Sequence, residues 1–474
     1  MKEEYNTEKR RAWVVWLSVL ALLLIGVGIF FYYTFLRQTR SELIDAVPTD
    51  AMFLFEVYDN DVFQKGIAPL APYFTEGFAL DVLPAYEDVY KKLSGTYDLT
   101  VSGHPAENGV HVLFNTHVEK TVFKRLLRAL SIDPANFTSF EHYKIYSYGT
   151  NFKSLKFAYF NHILTISDDL DLLKKSLIQH THPKSLLSDK TFKELYQLTN
   201  KNQKQNWLIV KKDPFGHYLS TFLKEDVYAR IQKDSPFADW SAFQVRIAHN
   251  EIFLSGYTPA SEEQTKLAQS VRHDIDIPGE MLPFNTEWYC KHTMKNYATC
   301  KFSIMGDSSM HHEFLVLAQD TLHKVFVPFG DEGRADVLRA AYPSGIYPLS
   351  DSVTASVKGV DFTPYRFFVE TKDACLFAPS QEALALYYKM LNKSGSIENN
   401  KYFKFSESNA ASSNLLDFTC YNSNGEMLSR DVLSEKGKFS FIGRDLAVFS
   451  VNCTGVADGY AAINIYAMFQ PAGK

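Results

Sequence analysis

The hydropathy pattern begins with a long run that lacks charged residues. From Ala12 to Leu36 the chain contains no Asp, Glu, Lys or Arg over 25 residues. As a helix, this run spans about 37 Å, which exceeds the roughly 30 Å hydrocarbon core of a bilayer. Tryptophans lie near its first residue and tyrosines near its last, where aromatic rings meet lipid headgroups. The pattern predicts a transmembrane helix over residues 12–36.

The flanks of this run predict its processing and its orientation. A cleaved signal peptide has an apolar core of about 7 to 15 residues followed by small residues. Here a longer core is followed by Arg37 and Arg40, so a retained anchor is favoured over a cleaved signal. Four basic residues precede the run and two follow it, which predicts a cytoplasmic tail over residues 1–11. The rest of the chain is then expected on the far side of the membrane.

Beyond the anchor, the pattern predicts both strands and helices. Apolar residues at every second position indicate strands, and apolar residues three or four positions apart indicate helices. The predicted strands are 51–57, 110–114, 153–160 and 207–210, and the predicted helices are 85–93, 118–130, 170–178, 261–272 and 382–391. Because most strands connect through short turns, the predicted fold class is α+β with antiparallel sheets.

Two segments of the first half recur in the second half. Residues 47–53 and 282–288 are each a proline turn followed by a predicted strand. Residues 162–169 and 375–382 are each a predicted strand that leads into a helix. Ser167 and Ser380 are the expected N-caps of these two helices, because a serine hydroxyl accepts from the free amides of a first turn.

A third segment, a hairpin, follows the first two in the same order. The first hairpin turns at His249-Asn250, and its expected counterpart runs from Phe439 to Val448 with a turn at Gly443-Arg444-Asp445. Three matches in one order favour an internal duplication. The predicted organisation is a tail 1–11, an anchor 12–36, a first repeat 37–260, a linker 261–280 and a second repeat 281–474.

Composition and charge exclude several classes of protein. The chain is 46% hydrophobic and 22% charged, which is typical of folded globular proteins. Its 49 basic and 54 acidic residues are interspersed and give a net charge of −5, so no nucleic-acid partner is expected. No second charge-free run of about 18 residues occurs, so a multi-span channel or transporter is excluded.

One predicted helix carries a row of basic residues. Lys120, Lys124 and Arg128 recur every four positions, with Arg125 alongside, opposite an apolar stripe. Residues four apart lie on one face of a helix. This face is the candidate surface for an anionic ligand, such as lipid headgroups or an acidic envelope polymer. The alternative is an ordinary solvated helix face.

The cysteines and histidines of the second half are further candidates for chemistry. Cys290 and Cys300 flank a predicted hairpin turn, so a cross-strand disulfide is possible in an oxidising compartment, and buried thiols are the alternative. His311, Glu313, Cys290 and His292 could supply metal ligands if their strands were adjacent, although packing or surface roles are favoured. No spacing fits a structural zinc site, and no metal or cofactor is predicted.

A cluster of acidic residues and the known catalytic motifs add no predicted active site. Asp168, Asp169 and Asp171 begin a predicted helix, where negative charge complements the helix dipole. A nucleophile elbow, a phosphate-binding loop and a metalloprotease motif are all absent from the sequence. No catalytic residue is therefore assigned, and the protein is expected not to be an enzyme.

The sequence resembles a family of bacterial envelope proteins of unknown function that carry one N-terminal membrane anchor. The resemblance rests on the Pro-x-Asp-Ala opening at Pro48, the strand-Ser-helix unit at Ser167, and the segments 240–243 and 254–258. It implies a single-pass protein of the bacterial inner membrane with a periplasmic C-terminal region. It supplies no catalytic residues.

These observations predict a non-enzymatic envelope protein. Its duplicated α+β region is expected to bind another envelope component in a scaffold or assembly role. The alternative is binding of a lipid or other amphiphile, for which the many aromatic residues could line a cavity. A periplasmic hydrolase or metalloenzyme is the least favoured class.

Overall fold

A computed structural model describes most of the chain beyond the N-terminal segment. It describes residues 42–58, 83–93, 98–107, 109–149, 154–182, 184–200, 205–234, 238–248, 250–270, 277, 279–293, 297–305, 311–319, 345–349, 360–371, 374–404, 416–421, 428–438, 443 and 445–470. These residues form two compact units. Unit 1 falls within Met1–Asp50, Pro84–Ser102 and His111–Ser188, and unit 2 within Ala51–Leu83, Gly103–Val110 and Asp189–Lys474.

The described residues form an α+β fold, and every strand pairing within each unit is antiparallel, as predicted. The strands are β1 Phe53–Val57, β2 Leu99–Ala106, β3 Gly109–His117, β4 Thr138–Phe140, β5 Tyr143–Tyr148, β6 Leu155–Phe160, β7 Ile163–Ser167, β8 Trp207–Lys211, β9 Trp240–Ala248, β10 Glu251–Pro259, β11 Thr286–Thr293, β12 Tyr297–Met305, β13 His311–Gln319, β14 Ile346–Pro348, β15 Phe367–Glu370, β16 Ala374–Ala378, β17 Leu416–Tyr421, β18 Leu446–Ala457 and β19 Tyr460–Phe469.

The helices alternate irregularly with these strands. They are α1 Leu83–Lys92, α2 Lys120–Ala129, α3 Leu170–Gln179, α4 Lys190–Asn200, α5 Lys212–Ser220, α6 Glu225–Asp234, α7 Glu262–Ser270, α8 Gln381–Ser394 and α9 Glu435–Lys438. Short 3-10 turns cover Leu43–Ala46, Leu186–Ser188, Gly279–Met281 and Ile397–Asn399, and a π-helical turn covers Leu428–Val432. Within the described ranges, no helix is both long enough and apolar enough to cross a membrane. The predicted span 12–36 lies outside these ranges.

The sheet of unit 1 has the strand order β4-β5-β6-β7-β3. Helix α3 buries Leu173 and Leu177 in a core that also contains Leu43 and Ala46 of the first 3-10 turn. The helix begins at Asp169, whose side chain accepts from the amide of Leu172. Asp169 therefore occupies the N-cap position predicted for Ser167, whose hydroxyl instead accepts from the Asp169 amide and donates to a β3 carbonyl.

The sheet of unit 2 has the strand order β1-β8-β9-β10-β19-β18-β17-β11-β12-β13-β16-β15-β14. Helix α8 begins at Ser380, whose hydroxyl accepts from the Ala383 amide as predicted. It packs on a core in which Tyr387 lies against Phe302 and Phe314, with the centroids of the two phenylalanine rings 5.2 Å apart.

Strand order recurs between the first and second halves of the chain. The order β1-β8-β9-β10 has its counterpart in β11-β17-β18-β19. Likewise, β3-β7-β6-β5 matches β13-β16-β15-β14. The predicted third sequence match is wrong in its placement, because Gly443 and Asp445 precede β18. The hairpin that corresponds to β9–β10 is β18–β19, which turns at Asp458-Gly459.

The pairing of β10 with β19 has local twofold symmetry. Glu251 is the first residue of β10 after its hairpin turn, and Tyr460 is the first residue of β19 after its own. Glu251 pairs with Met468 near the end of β19, and Tyr460 pairs with Pro259 at the end of β10. The middle of the register is the pair formed by Ser255 and Asn464. A local twofold axis through this pair exchanges the two strands.

A second contact joins the two halves. Leu223, before α6, forms an antiparallel bridge with Leu433, before α9. The Lys224 amide donates to the Val432 carbonyl, and the Ser434 amide donates to the Phe222 carbonyl. Such reciprocal hydrogen bonds are the normal pattern of an antiparallel bridge.

Candidate functional site

Helix α2 presents the predicted basic face to solvent. The helix begins after Glu119, which has extended backbone angles, and ends at Leu130. Phe123, Leu126 and Leu127 are buried on one side. The four predicted basic residues are all exposed on the other side: Lys120, Lys124, Arg125 and Arg128. The periodicity of the sequence therefore predicted both faces of this helix correctly.

The basic face has no partners within the part of the chain that the structure describes. None of its four side chains makes a hydrogen bond or an ion pair there. Lysines elsewhere in unit 1 do find carboxylates: Lys174 Nζ lies 3.0 Å from Asp171 Oδ1, and Lys175 Nζ lies 3.0 Å from Asp50 Oδ2. The charges of α2 are therefore available to an external anion.

The disulfide that the sequence allowed between Cys290 and Cys300 is not formed in the structure, where the alternative of a buried thiol describes Cys300. The two residues do lie on a hairpin, but Cys290 is opposite Lys301 and Cys300 is opposite Lys291. Successive residues of a strand point to opposite faces, so a register offset of one separates the two sulfurs. Cys300 is buried in the core beneath α8, whereas Cys290 is half-buried with its Sγ 3.2 Å from His292 Nε2.

The histidines of β13 are not assembled with Cys290. His311 is opposite Met305 of β12, whereas Cys290 is opposite Lys301, four residues away along the same strand. No cluster of three or more potential metal ligands occurs among the described residues. His311 instead contacts two residues that the sequence reasoning did not select, Glu287 of β11 and Arg430 of the π-helical turn.

These three residues form a buried ionic cluster. Glu287 Oε2 lies 2.6 Å from His311 Nδ1, and Glu287 Oε1 lies 3.6 Å from Arg430 Nη2. The exposed fractions of the side chains are 8% for Glu287, 20% for His311 and 36% for Arg430. The Ser303 hydroxyl donates to Glu287 Oε2 over 3.4 Å. Glu287 Oε2 therefore has two hydrogen-bonding contacts, whereas the buried Oε1 has no hydrogen-bond partner among the described residues and is compensated only by the charge of Arg430.

His311 Nδ1 faces both other members of the cluster. It lies 2.6 Å from Glu287 Oε2 and 3.1 Å from Arg430 Nη2, so a hydrogen on this nitrogen would serve the carboxylate but not the guanidinium, which can only donate. Within the described residues, the buried Nε2 atom of His311 has no hydrogen-bond partner. A carboxylate beside an imidazole occurs in catalytic and metal sites, but no group of three or more potential metal ligands occurs here among the described residues.

No local signal in the sequence could have found this cluster. A β-bulge interrupts the register between Thr286 and Trp288 and so re-aims the intervening Glu287. Arg430 is more than a hundred residues further along the chain and reaches the carboxylate from a π-helical turn. The only sequence hint was His311 itself, at the start of a predicted strand.

The acidic residues before α3 have structural roles. Asp169 caps the helix, and Asp171 pairs with Lys174. Asp168 accepts from the Val112 amide over 2.9 Å and lies 3.0 Å from His111 Nδ1, which fastens the start of the helix to β3. These contacts agree with the dipole and capping interpretation made from the sequence.

At the other end of α3, His180 is partly buried. Its Nδ1 contacts the Leu177 carbonyl at 2.7 Å, and its Nε2 contacts the Tyr143 hydroxyl at 3.2 Å. Burial lowers the pKa of His180, because desolvation disfavours the charged imidazolium. His180 therefore belongs to the packing of unit 1 rather than to a ligand site.

Comparison with known proteins adds little to this description. No protein-family model matches the sequence, and no curated protein matches it. Among solved structures, crystal form IV of a protein named TP0453 aligns at 12% identity and a TM-score of 0.28, over 51% of this chain and 89% of that one. Crystal form III aligns at 11% identity and a TM-score of 0.27, over 50% and 89% of the two chains. Likenesses of this size carry no argument about function.

Proposed function

We propose that this chain is a non-enzymatic, single-pass protein of the bacterial inner membrane that binds another envelope component. Residues 12–36 form the anchor, the N-terminal tail is cytoplasmic, and the α+β region is periplasmic. The observation that carries the binding role is the basic face of α2, with four exposed cations that have no partner in the described part of the chain. An anionic component of the envelope complements such a surface.

The proposed duplication supports a scaffold or assembly role. In this proposal, residues 37–260 and 281–474 are repeats of one unit. Support comes from the recurring strand orders, and the two halves contact each other at β10–β19 and at Leu223–Leu433. Two related halves would offer related surfaces to a partner without needing a catalytic centre.

The alternative of an amphiphile-binding cavity has less support. The large aromatic side chains of the described core pack on one another, as Phe302, Phe314 and Tyr387 do in unit 2. Rings at these distances fill the space between helix and sheet. The hypothesis of a hydrolase or metalloenzyme has little support, because His311 beside Glu287 is not part of a set of three potential metal ligands among the described residues.

Site-specific photocrosslinking in cells tests the binding role. A photoreactive amino acid replaces Thr121, which is exposed beside Lys124 and Arg125, and a control chain carries it at the exposed Lys393 of α8. We expect a discrete adduct at position 121 that is absent at position 393. Equal and diffuse labelling at the two positions would contradict a specific binding face on α2.

A further inference from the structure

We infer that the basic face of α2 binds the anionic phospholipid headgroups of the same membrane in which the chain is anchored. This inference rests on the proposed function, because it requires the anchor over residues 12–36. It identifies the bound envelope component as the lipid surface itself rather than as a protein or a soluble polymer.

Only a short stretch of chain separates the proposed anchor from the described part of unit 1. The proposed span ends at Leu36, and the described chain begins at Glu42. Six residues of extended chain reach at most about 22 Å. Glu42 therefore lies within about 22 Å of the end of the membrane span, a distance smaller than the width of a small domain.

The first described residues of the chain are packed into unit 1. Leu43 and Ala46 are buried in the core of unit 1. The Ser176 hydroxyl donates to the Ala46 carbonyl over 2.7 Å, and Lys175 pairs with Asp50. The start of the described chain is thus fixed to α3, and unit 1, which also contains α2, is held close to the bilayer.

The basic face concentrates positive charge on one side of α2. Each Lys or Arg near an anionic bilayer strengthens binding about fivefold, so four such residues together contribute a factor of several hundred. A tether of this length keeps the effective concentration of lipid headgroups high, so weak individual contacts are sufficient. Helix α2 itself contains no acidic residue, and Glu119, which precedes its first residue, lies 3.5 Å from His162 Nδ1.

The cations of the basic face form a row. The four cations extend over nine positions, or about 12 Å of helix, and do not converge on one point. A single phosphate would need a convergent set of donors, whereas a row of cations matches an extended array of headgroups. Phe123, Leu126 and Leu127 are buried, Val122 is half-buried, and the exposed Ala129 has only a methyl group. We therefore expect electrostatic contact with headgroups and no insertion into the hydrocarbon.

The test uses the full chain in lipid nanodiscs of defined composition. The photoreactive residue at position 121 reports lipid contact as a lipid-mass adduct. Discs of pure phosphatidylcholine are compared with discs that contain 30% phosphatidylglycerol, each at low and at high salt. We expect adducts in the anionic discs, at least tenfold fewer in neutral discs, and a strong decrease in 0.5 M NaCl, because salt screens exposed charges.

Two charge variants make the test specific. In the first, all four cations of the face are replaced by Gln. In the second, four exposed lysines elsewhere are replaced by Gln, so that the net charge changes equally: Lys184, Lys193, Lys393 and Lys404. We expect the first variant to lose lipid adducts at least tenfold and the second to stay within twofold of the wild type. Equal loss in both variants would overturn the assignment to α2.

The outcomes also separate this inference from the proposed function. Absence of lipid adducts in anionic discs, together with a protein or polymer adduct at position 121 in cells, would overturn the lipid inference and leave the binding role intact. Absence of any specific adduct in discs and in cells would overturn both.

Discussion

Replacing Arg430 with Met is expected to destabilise unit 2 by about 2 kcal/mol. Glu287 Oε1 is 3.6 Å from Arg430 Nη2, and the carboxylate is 8% exposed. With an effective dielectric constant of about 20, their direct attraction is about 4.6 kcal/mol. Breaking a buried pair costs about 3 to 5 kcal/mol. The cost is lower here, because Arg430 is 36% exposed and His311 still contacts the carboxylate.

A double-mutant cycle measures this coupling directly. The second change is Glu287→Gln, which removes the buried charge, so the Arg430→Met change should cost about 2 kcal/mol less in that background. Urea unfolding of the full chain in detergent, followed by tryptophan fluorescence, supplies the free energies. The exposed pair of Lys438 and Glu435 serves as the control, and Lys438→Met should cost less than about 0.5 kcal/mol. A coupling energy below about 0.5 kcal/mol between Arg430 and Glu287 would refute the ionic account of the cluster.

Three further predictions concern the cap of α3, the buried histidine and the thiols. Asp169→Ala should destabilise unit 1 by about 1 kcal/mol through loss of the N-cap, whereas replacement of the exposed Asp171 by Ala should change the free energy of unfolding by less than about 0.5 kcal/mol. Comparable losses for the two variants in urea unfolding would count against the capping role of Asp169. Because the pKa of His180 is lowered in the folded state, the unfolded chain binds more protons, so the free energy of unfolding should fall as the pH decreases below about 6.5. The His180→Gln variant should show a smaller decrease of the urea midpoint over this pH range, and an unchanged pH profile would contradict the prediction. Ellman's reagent should modify the half-buried Cys290 in the folded protein, and the other cysteines should react only after unfolding because they are buried. A mass of the non-reduced protein about 2 Da lower than that of the reduced protein would instead reveal a disulfide.

The features that the sequence predicted correctly depend on local periodicity. The two faces of α2 follow from apolar residues three and four apart, and burial of Phe123, Leu126 and Leu127 agrees with that spacing. The α+β class and the strands predicted at 51–57, 110–114, 153–160 and 207–210, which overlap β1, β3, β6 and β8, follow from the same kind of signal. Such predictions succeed because the preference of each segment agrees with its tertiary environment.

Where the structure differs from what the sequence suggested, the difference depends on strand register or on competing local signals. The cysteine pair lies on the predicted hairpin, but an offset of one residue between Cys290 and Cys300 reverses their faces. The turn of the third matching segment was predicted at Gly443, although Asp458-Gly459 is the stronger hairpin signal. These two residues have φ angles of 52° and 80° in the structure. Ser167 and Asp169 both suit an N-cap, and their spacing in sequence does not decide between them.

The local twofold pairing has a consequence for the synthesis of the chain. Strand β10 pairs with β19, which follows it by roughly 200 residues. At typical translation rates of about 5 to 20 residues per second, β19 is completed about 10 to 40 s after β10. During that interval the outer edge of β10 is open, and open edges recruit strands from other chains. A ribosome that pauses within the second half would therefore leave the nascent chain most exposed to pairing with a neighbouring copy.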